Sequence, residues 1–161
     1  MVAPSATSSC SEAGNTTGTQ EEEATMEHKL TYTAYTEALK QDRLLGLKCQ
    51  QCGAITVPPM IVCSRCDSTE LEVVELSGRG TIQTFTTIFV PPEGREAEAP
   101  YVVVLVELEE GPWLMGNLGG VDPAKVTMDI IGKKVRLGHA VSPGDKFSAG
   151  ELVRPLFTLE G

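Results

Sequence analysis

The chain has 161 residues, 41% hydrophobic and 22% charged, which suits one main core with a small satellite. Its longest wholly apolar run, Tyr101 to Val106, is far shorter than the roughly 20 residues that cross a bilayer, so no membrane span is expected. The formal net charge is -9; residues 1–28 hold five Glu and no Lys or Arg, and the rest carries 17 acidic against 13 basic residues, which excludes the positive field that nonspecific nucleic-acid binding requires.

Residues 1–28 are rich in Ser, Thr, Gly and Glu and poor in large apolar side chains, so they are expected to form a disordered acidic tail. Cys10 within it reads as an incidental free thiol. The beginning lacks both a basic leader and an apolar stretch, so the expected compartment is the cytoplasm, where thiols stay reduced and paired cysteines hold metals more often than disulfides.

Residues 29–47 are assigned to a helical segment. Tyr32, Tyr35, Ala38 and Leu39 recur at spacings of three and four, which predicts a short amphipathic helix from about Thr33 to Asp42. About ten residues make a helix too short to stand alone in water. Its apolar side must dock, either on this chain or on a partner, and the face of Tyr35, Ala38 and Leu39 is the candidate partner contact.

Residues 48–70 contain two CxxC pairs separated by ten residues, Cys49 and Cys52, then Cys63 and Cys66. A two-residue gap turns both sulfurs of a pair toward one point, and two such knuckles make a four-thiolate cage that suits structural zinc. Gly53 relieves crowding after the first pair. Between the knuckles, Pro58 and Pro59 stiffen a segment too poor in apolar residues to build a core alone, so metal binding is expected to organise it. Iron in a rubredoxin-like electron carrier is the competing reading of four thiolates. Against it, Lys48 to Ser68 contains no Phe, Tyr or Trp. Four cysteine ligands also leave no open position for substrate, which argues against catalysis at the metal.

From Leu71 the pattern changes to period two with β-branched and aromatic residues, predicting six strands: LEVVELS, TIQTFTTIF, YVVVLVELE, WLMGNL, KKVRLGHAV and LVRPLFTLE. Turn chemistry separates them, and the glycines of GRG and GNLGG are read as turns. Five or six antiparallel strands over residues 71–161 are expected to close as an OB-type barrel, with a two-sheet sandwich as the alternative. Trp113 is placed in the barrel core in preference to a stacking platform, and VPPEGREAEAP is read either as a mobile loop that contacts partner or ligand or as a long solvated hairpin loop.

No catalytic set is visible. The two histidines are His28, at the end of the tail, and His139, in a strand. Glu107, Glu109 and Glu110 read as a solvated strand end. Lys133, Lys134 and Arg136 make the one basic cluster, either a solvated face or a contact for an acidic partner or anionic cofactor.

The runs LKCQQCG, VPP, CSRC and ELSGRGTIQTFTTIF resemble the zinc-ribbon OB-fold proteins that accompany thiolases and related acyl-CoA enzymes. That resemblance covers Tyr32 to the C-terminus. It implies a leading helix, a rubredoxin-like ribbon binding structural zinc through Cys49, Cys52, Cys63 and Cys66, an OB barrel, and a non-catalytic role beside a thiolase-fold subunit working on coenzyme A thioesters. The acidic tail departs from the pattern. A rival reading, an OB protein for single-stranded nucleic acid, needs a basic groove lined with exposed aromatics, and the net charge disfavours it.

Overall fold

The computed structural model describes residues 28–144 and 150–161. The predicted tail and Cys10 lie outside these described residues, apart from His28, which is exposed.

Helix α1 spans Tyr32–Leu39, with the Thr31 hydroxyl accepting from the Ala34 N–H at 3.2 Å as N-cap. It stops short of Asp42 because the chain folds back there: Arg43 N–H returns to the Ala38 carbonyl, and Asp42 takes a left-handed φ of 58°. The predicted apolar face is present, since Tyr35, Ala38 and Leu39 are all buried, and it packs on β1 (Leu44–Cys49) and β8 (Leu152–Leu159) of this same chain. The expectation that this face meets a partner is thereby overturned. The predicted helical segment also takes in the first four residues of β1, whose leucines favour helix by composition. Long-range pairing on both sides overrides that preference.

The first sheet runs β2 (Ile55–Thr56), β1, β3 (Leu71–Leu76), all antiparallel, with Leu47 opposite both Thr56 and Val73. Strand β3, expected to open the barrel, instead completes the ribbon's sheet. At Gly78, φ is +69° and a Cβ would lie 3.0 Å from Leu137, so only glycine turns the chain there without strain.

The remaining strands are β4 (Arg79–Ile88), β5 (Tyr101–Leu108), β6 (Trp113–Gly119) and β7 (Lys134–Ser142), which close with β8 in the order β4-β5-β6-β8-β7. Pairing of Gly80 with Val135 joins β4 to β7, and only the β6–β8 pair is parallel. This is the expected mostly β, OB-type five-stranded barrel after a ribbon. Along β5, Val102, Val104 and Val106 point into the core with Ile82, Leu114, Val135 and Phe157, as strand alternation requires.

Trp113 corrects the prediction for the core: Leu114 takes the inward position, leaving Trp113 on the outer face opposite Glu107 and 52% exposed. Gly116 is no turn residue either. It lies within β6, where a Cβ would meet the Pro155 carbonyl at 2.7 Å and the Phe157 ring at 2.9 Å, so the strand needs glycine to pass over the core.

Hydrogen bonds also join the segments flanking the ribbon to the barrel, among them the Leu137 N–H donating to the Gly78 carbonyl at 2.7 Å. Asp42 Oδ1 and His139 Nδ1 lie 2.8 Å apart, and the Ser77 N–H donates to Glu110 Oε1 at 2.5 Å. Glu110 is therefore a structural acceptor rather than a solvated edge. Lys133, Lys134 and Arg136 are exposed. The segment VPPEGREAEAP contains a 3-10 turn, Glu96–Glu98, pinned by ion pairs of Glu98 with Arg95 at 2.7 Å and Arg154 at 3.0 Å. Among the described residues no helix is long and apolar enough to cross a membrane.

Candidate metal centre

The two CxxC pairs build the same backbone device twice. In the first, Cys49 N–H donates to the Ala54 carbonyl at 2.8 Å, and Gly53 N–H donates to the Cys49 carbonyl at 2.9 Å, with Gly53 at φ +72°. In the second, Cys63 N–H donates to Ser68 at 2.9 Å and Asp67 N–H to Cys63 at 3.0 Å, with Asp67 at φ +57°. Gly53 was legible from the sequence. Asp67, its counterpart, is the residue that sequence reasoning missed; its signal was position, directly after the second CxxC, together with the tolerance of Asp for left-handed backbone.

These knuckles bring all four predicted cysteines together. Their sulfurs lie within 4.8 Å of one another, with Cys49 to Cys66 at 3.6 Å and Cys52 to Cys63 at 3.5 Å. A disulfide needs about 2.05 Å. Four sulfurs placed about 2.3 Å from a tetrahedral zinc are about 3.8 Å apart, so the spacing fits a metal and not a pair of disulfides. Cys49 and Cys63 are buried, Cys52 half-buried and Cys66 exposed, so one edge of the cage faces solvent.

The electrostatics agree. The Cys52 N–H, aided by Gln51 and opposed by burial, draws the Cys49 thiol down to about 6. The Arg65 and Cys66 N–H groups lower Cys63 in the same way. Cys66 accepts from the Ser68 N–H, which lowers it, yet Cys52, Cys49 and Cys63 crowd around it and, with burial, push it up to about 12. Four sulfurs this close cannot all ionise unless a cation sits among them, and the donor set is thiolate throughout. With all four cysteines as ligands such a cage would be closed by protein, organising backbone and leaving no vacant coordination position.

Residues 36–72 match the family described as the ChsH2 rubredoxin-like zinc ribbon domain, and residues 73–139 the ChsH2 C-terminal OB-fold domain. A DUF35 domain-containing scaffold protein of Pyrococcus furiosus is 35% identical over 98 residues, covering 58% of this chain and 71% of that protein. The chain belongs to the DUF35 family. A second DUF35 scaffold protein, from Methanocaldococcus jannaschii, is 37% identical over 84 residues; the match covers 52% of this chain and 60% of the relative, so this chain spans less than two thirds of that protein's length. The benzoylsuccinyl-CoA thiolase subunit BbsA of Thauera aromatica is 32% identical over 77 residues, covering 48% of this chain and 52% of BbsA. Among solved structures, a chain of the Ltp2-ChsH2(DUF35) aldolase superposes with a TM-score of 0.59 at 34% identity, covering 79% of this chain and 92% of that one. The DUF35 boundary between residues 72 and 73 falls inside β3, so the strand that finishes the ribbon's sheet also leads into the barrel.

Proposed function

We propose that this DUF35 chain is a non-catalytic accessory subunit, binding structural zinc through Cys49, Cys52, Cys63 and Cys66 and assembling in the cytoplasm with a thiolase-fold enzyme that acts on acyl-CoA thioesters. Thiolytic cleavage of benzoylsuccinyl-CoA to benzoyl-CoA and succinyl-CoA is the specific reaction that the likeness to BbsA suggests. One observation carries the reading: the ribbon-plus-barrel module recurs in relatives named as a scaffold protein, a thiolase subunit and part of an aldolase. These names point to different roles, which supports a reading in which the module supplies assembly and the partner supplies the reacting groups. The metal cage supports this division, because it holds backbone together and presents no open ligand position.

Capture of the tagged chain from its native cells, with identification of what co-elutes, tests the assembly. A thiolase-fold subunit is expected, and thiolysis of acyl-CoA should require both proteins. Turnover by rigorously partner-free chain, or a purified complex containing no enzyme of coenzyme A thioesters, would overturn the proposal.

A further inference from the structure

In small closed barrels of this topology the outer face of the second and third strands, here β5 and β6, is a general binding surface. On that face a cleft of about 490 Å³ opens, floored by apolar Ile88, Val103, Met115 and Pro155 and walled by Arg95 and Arg154. Its volume lies in the range of small-molecule sites, and an apolar floor with a few convergent polar groups is their usual make-up.

The charge of the wall decides what fits. Arg95 donates to Glu98 through Nε at 3.1 Å and Nη2 at 2.7 Å, and its guanidinium lies 4.5 Å over the Tyr101 ring, which fixes its position. Arg154 Nη2 donates to the same Glu98 carboxylate at 3.0 and 3.1 Å and to the Ser142 hydroxyl at 2.9 Å. Among the described residues two guanidiniums thus share one carboxylate, which leaves this network one positive charge in excess. Nothing among the described residues accepts from Arg154 Nε and Nη1, which are buried behind the wall, so the protein leaves part of this guanidinium unmet. A single net charge matches a monoanion. It falls short of what a phosphate backbone requires.

We propose that this cleft binds the ionised carboxylate of a small apolar acid, with Arg95 and Arg154 on the side of the anion and Val103 and Met115 taking the apolar body. Asn117 and Thr86, also in the lining, offer hydrogen bonds to an oxygen along that body. The proposal rests on the barrel alone, so binding to the isolated full chain tests it, while the capture experiment tests assembly independently.

The probes are 4-phenylbutanoate, its neutral amide and coenzyme A, titrated into the zinc-loaded chain and followed by heteronuclear NMR. The acid should shift the resonances of Val103, Met115 and Asn117, and the amide should bind at least about tenfold more weakly, as loss of a charge-assisted contact implies. Met115 is 65% exposed, so Met115→Glu should leave the melting temperature unchanged while repelling the acid by about tenfold or more. Met115→Gln should keep most of the binding. Equal affinity for acid and amide, indifference to Met115→Glu, or no binding by any probe at millimolar concentration would overturn the proposal. Coenzyme A displacing the acid from these resonances more strongly than the acid binds would reassign the cleft to phosphate and likewise overturn it.

Discussion

Tyr35 offers the sharpest test of how helix α1 is held. Its side chain is 4% exposed, its ring packs in the core with Leu39 and Leu44, and its hydroxyl is buried without a hydrogen-bond partner. Truncation by Tyr35→Ala should therefore cost about 3 to 5 kcal/mol, the range for removing a buried aromatic ring. At about 2 to 4 °C per kcal/mol for a chain of this size, the melting temperature should fall by roughly 10 °C. Tyr35→Phe removes only the unsatisfied hydroxyl and should be neutral or stabilising by about 1 kcal/mol. Burial, with Tyr32 adding a smaller effect, pushes the Tyr35 phenol up to about 12 from its ordinary value near 10. The folded state then keeps a proton that the unfolded chain releases from about pH 10, so stability contributed below that pH is lost as pH rises toward 12. The loss is about 1.4 kcal/mol per pH unit, or about 3 kcal/mol over the two units, and the Phe variant should escape it. Thermal melts and urea titrations of the three proteins with zinc in excess, at neutral pH and near pH 11, where about half of the alkaline loss should have developed, check these quantities. An unchanged melting temperature for Tyr35→Ala, or an alkaline loss in Tyr35→Phe equal to wild type, would refute the packing described for this helix.

Three further outcomes are expected. Cys63→Ser should lose the metal and the order of the ribbon, and elemental analysis of wild type should give one zinc without labile sulfide; stoichiometric iron would contradict the assignment. Acidification should release the metal because thiolates must be reprotonated, and apparent zinc affinity should rise with pH, as a chelator competition series would show. Gly116→Ala should cost about 1 to 3 kcal/mol, because its new methyl meets backbone and the Phe157 ring, and a melting curve within error of wild type would contradict the close approach of β6 to β8.

The strands and the clustering of the four cysteines were legible because their signals are local and periodic. CxxC spacing reports a knuckle directly, and the alternation of Val102, Val104 and Val106 reports a half-buried strand. What escaped depended on which strand lies beside which. LLGLKC, with three leucines, has little β preference of its own and becomes β1 through pairing with β2 and β3. LEVVEL is a strand in either sheet, and nothing within it says that Leu71 will face Cys49. Trp113 looked like core by size, yet a one-residue shift of register hands the interior to Leu114. Tyr35, Ala38 and Leu39 announced a face to be buried, but only the fold shows that β1 and β8 bury it.

The docking of α1 on β8 has a consequence for synthesis. The helix is among the first described elements to leave the ribosome, and one of the strands it packs against is the last, so the two meet only after the intervening barrel has been made. An eight-residue helix gains little by forming earlier, whereas the ribbon's cysteines and its three strands all lie within one short stretch. Zinc can therefore be captured while the barrel is still emerging. Strand β8, the last described, pairs with both β6 and β7 and packs on the helix, so these three contacts become available together when it emerges.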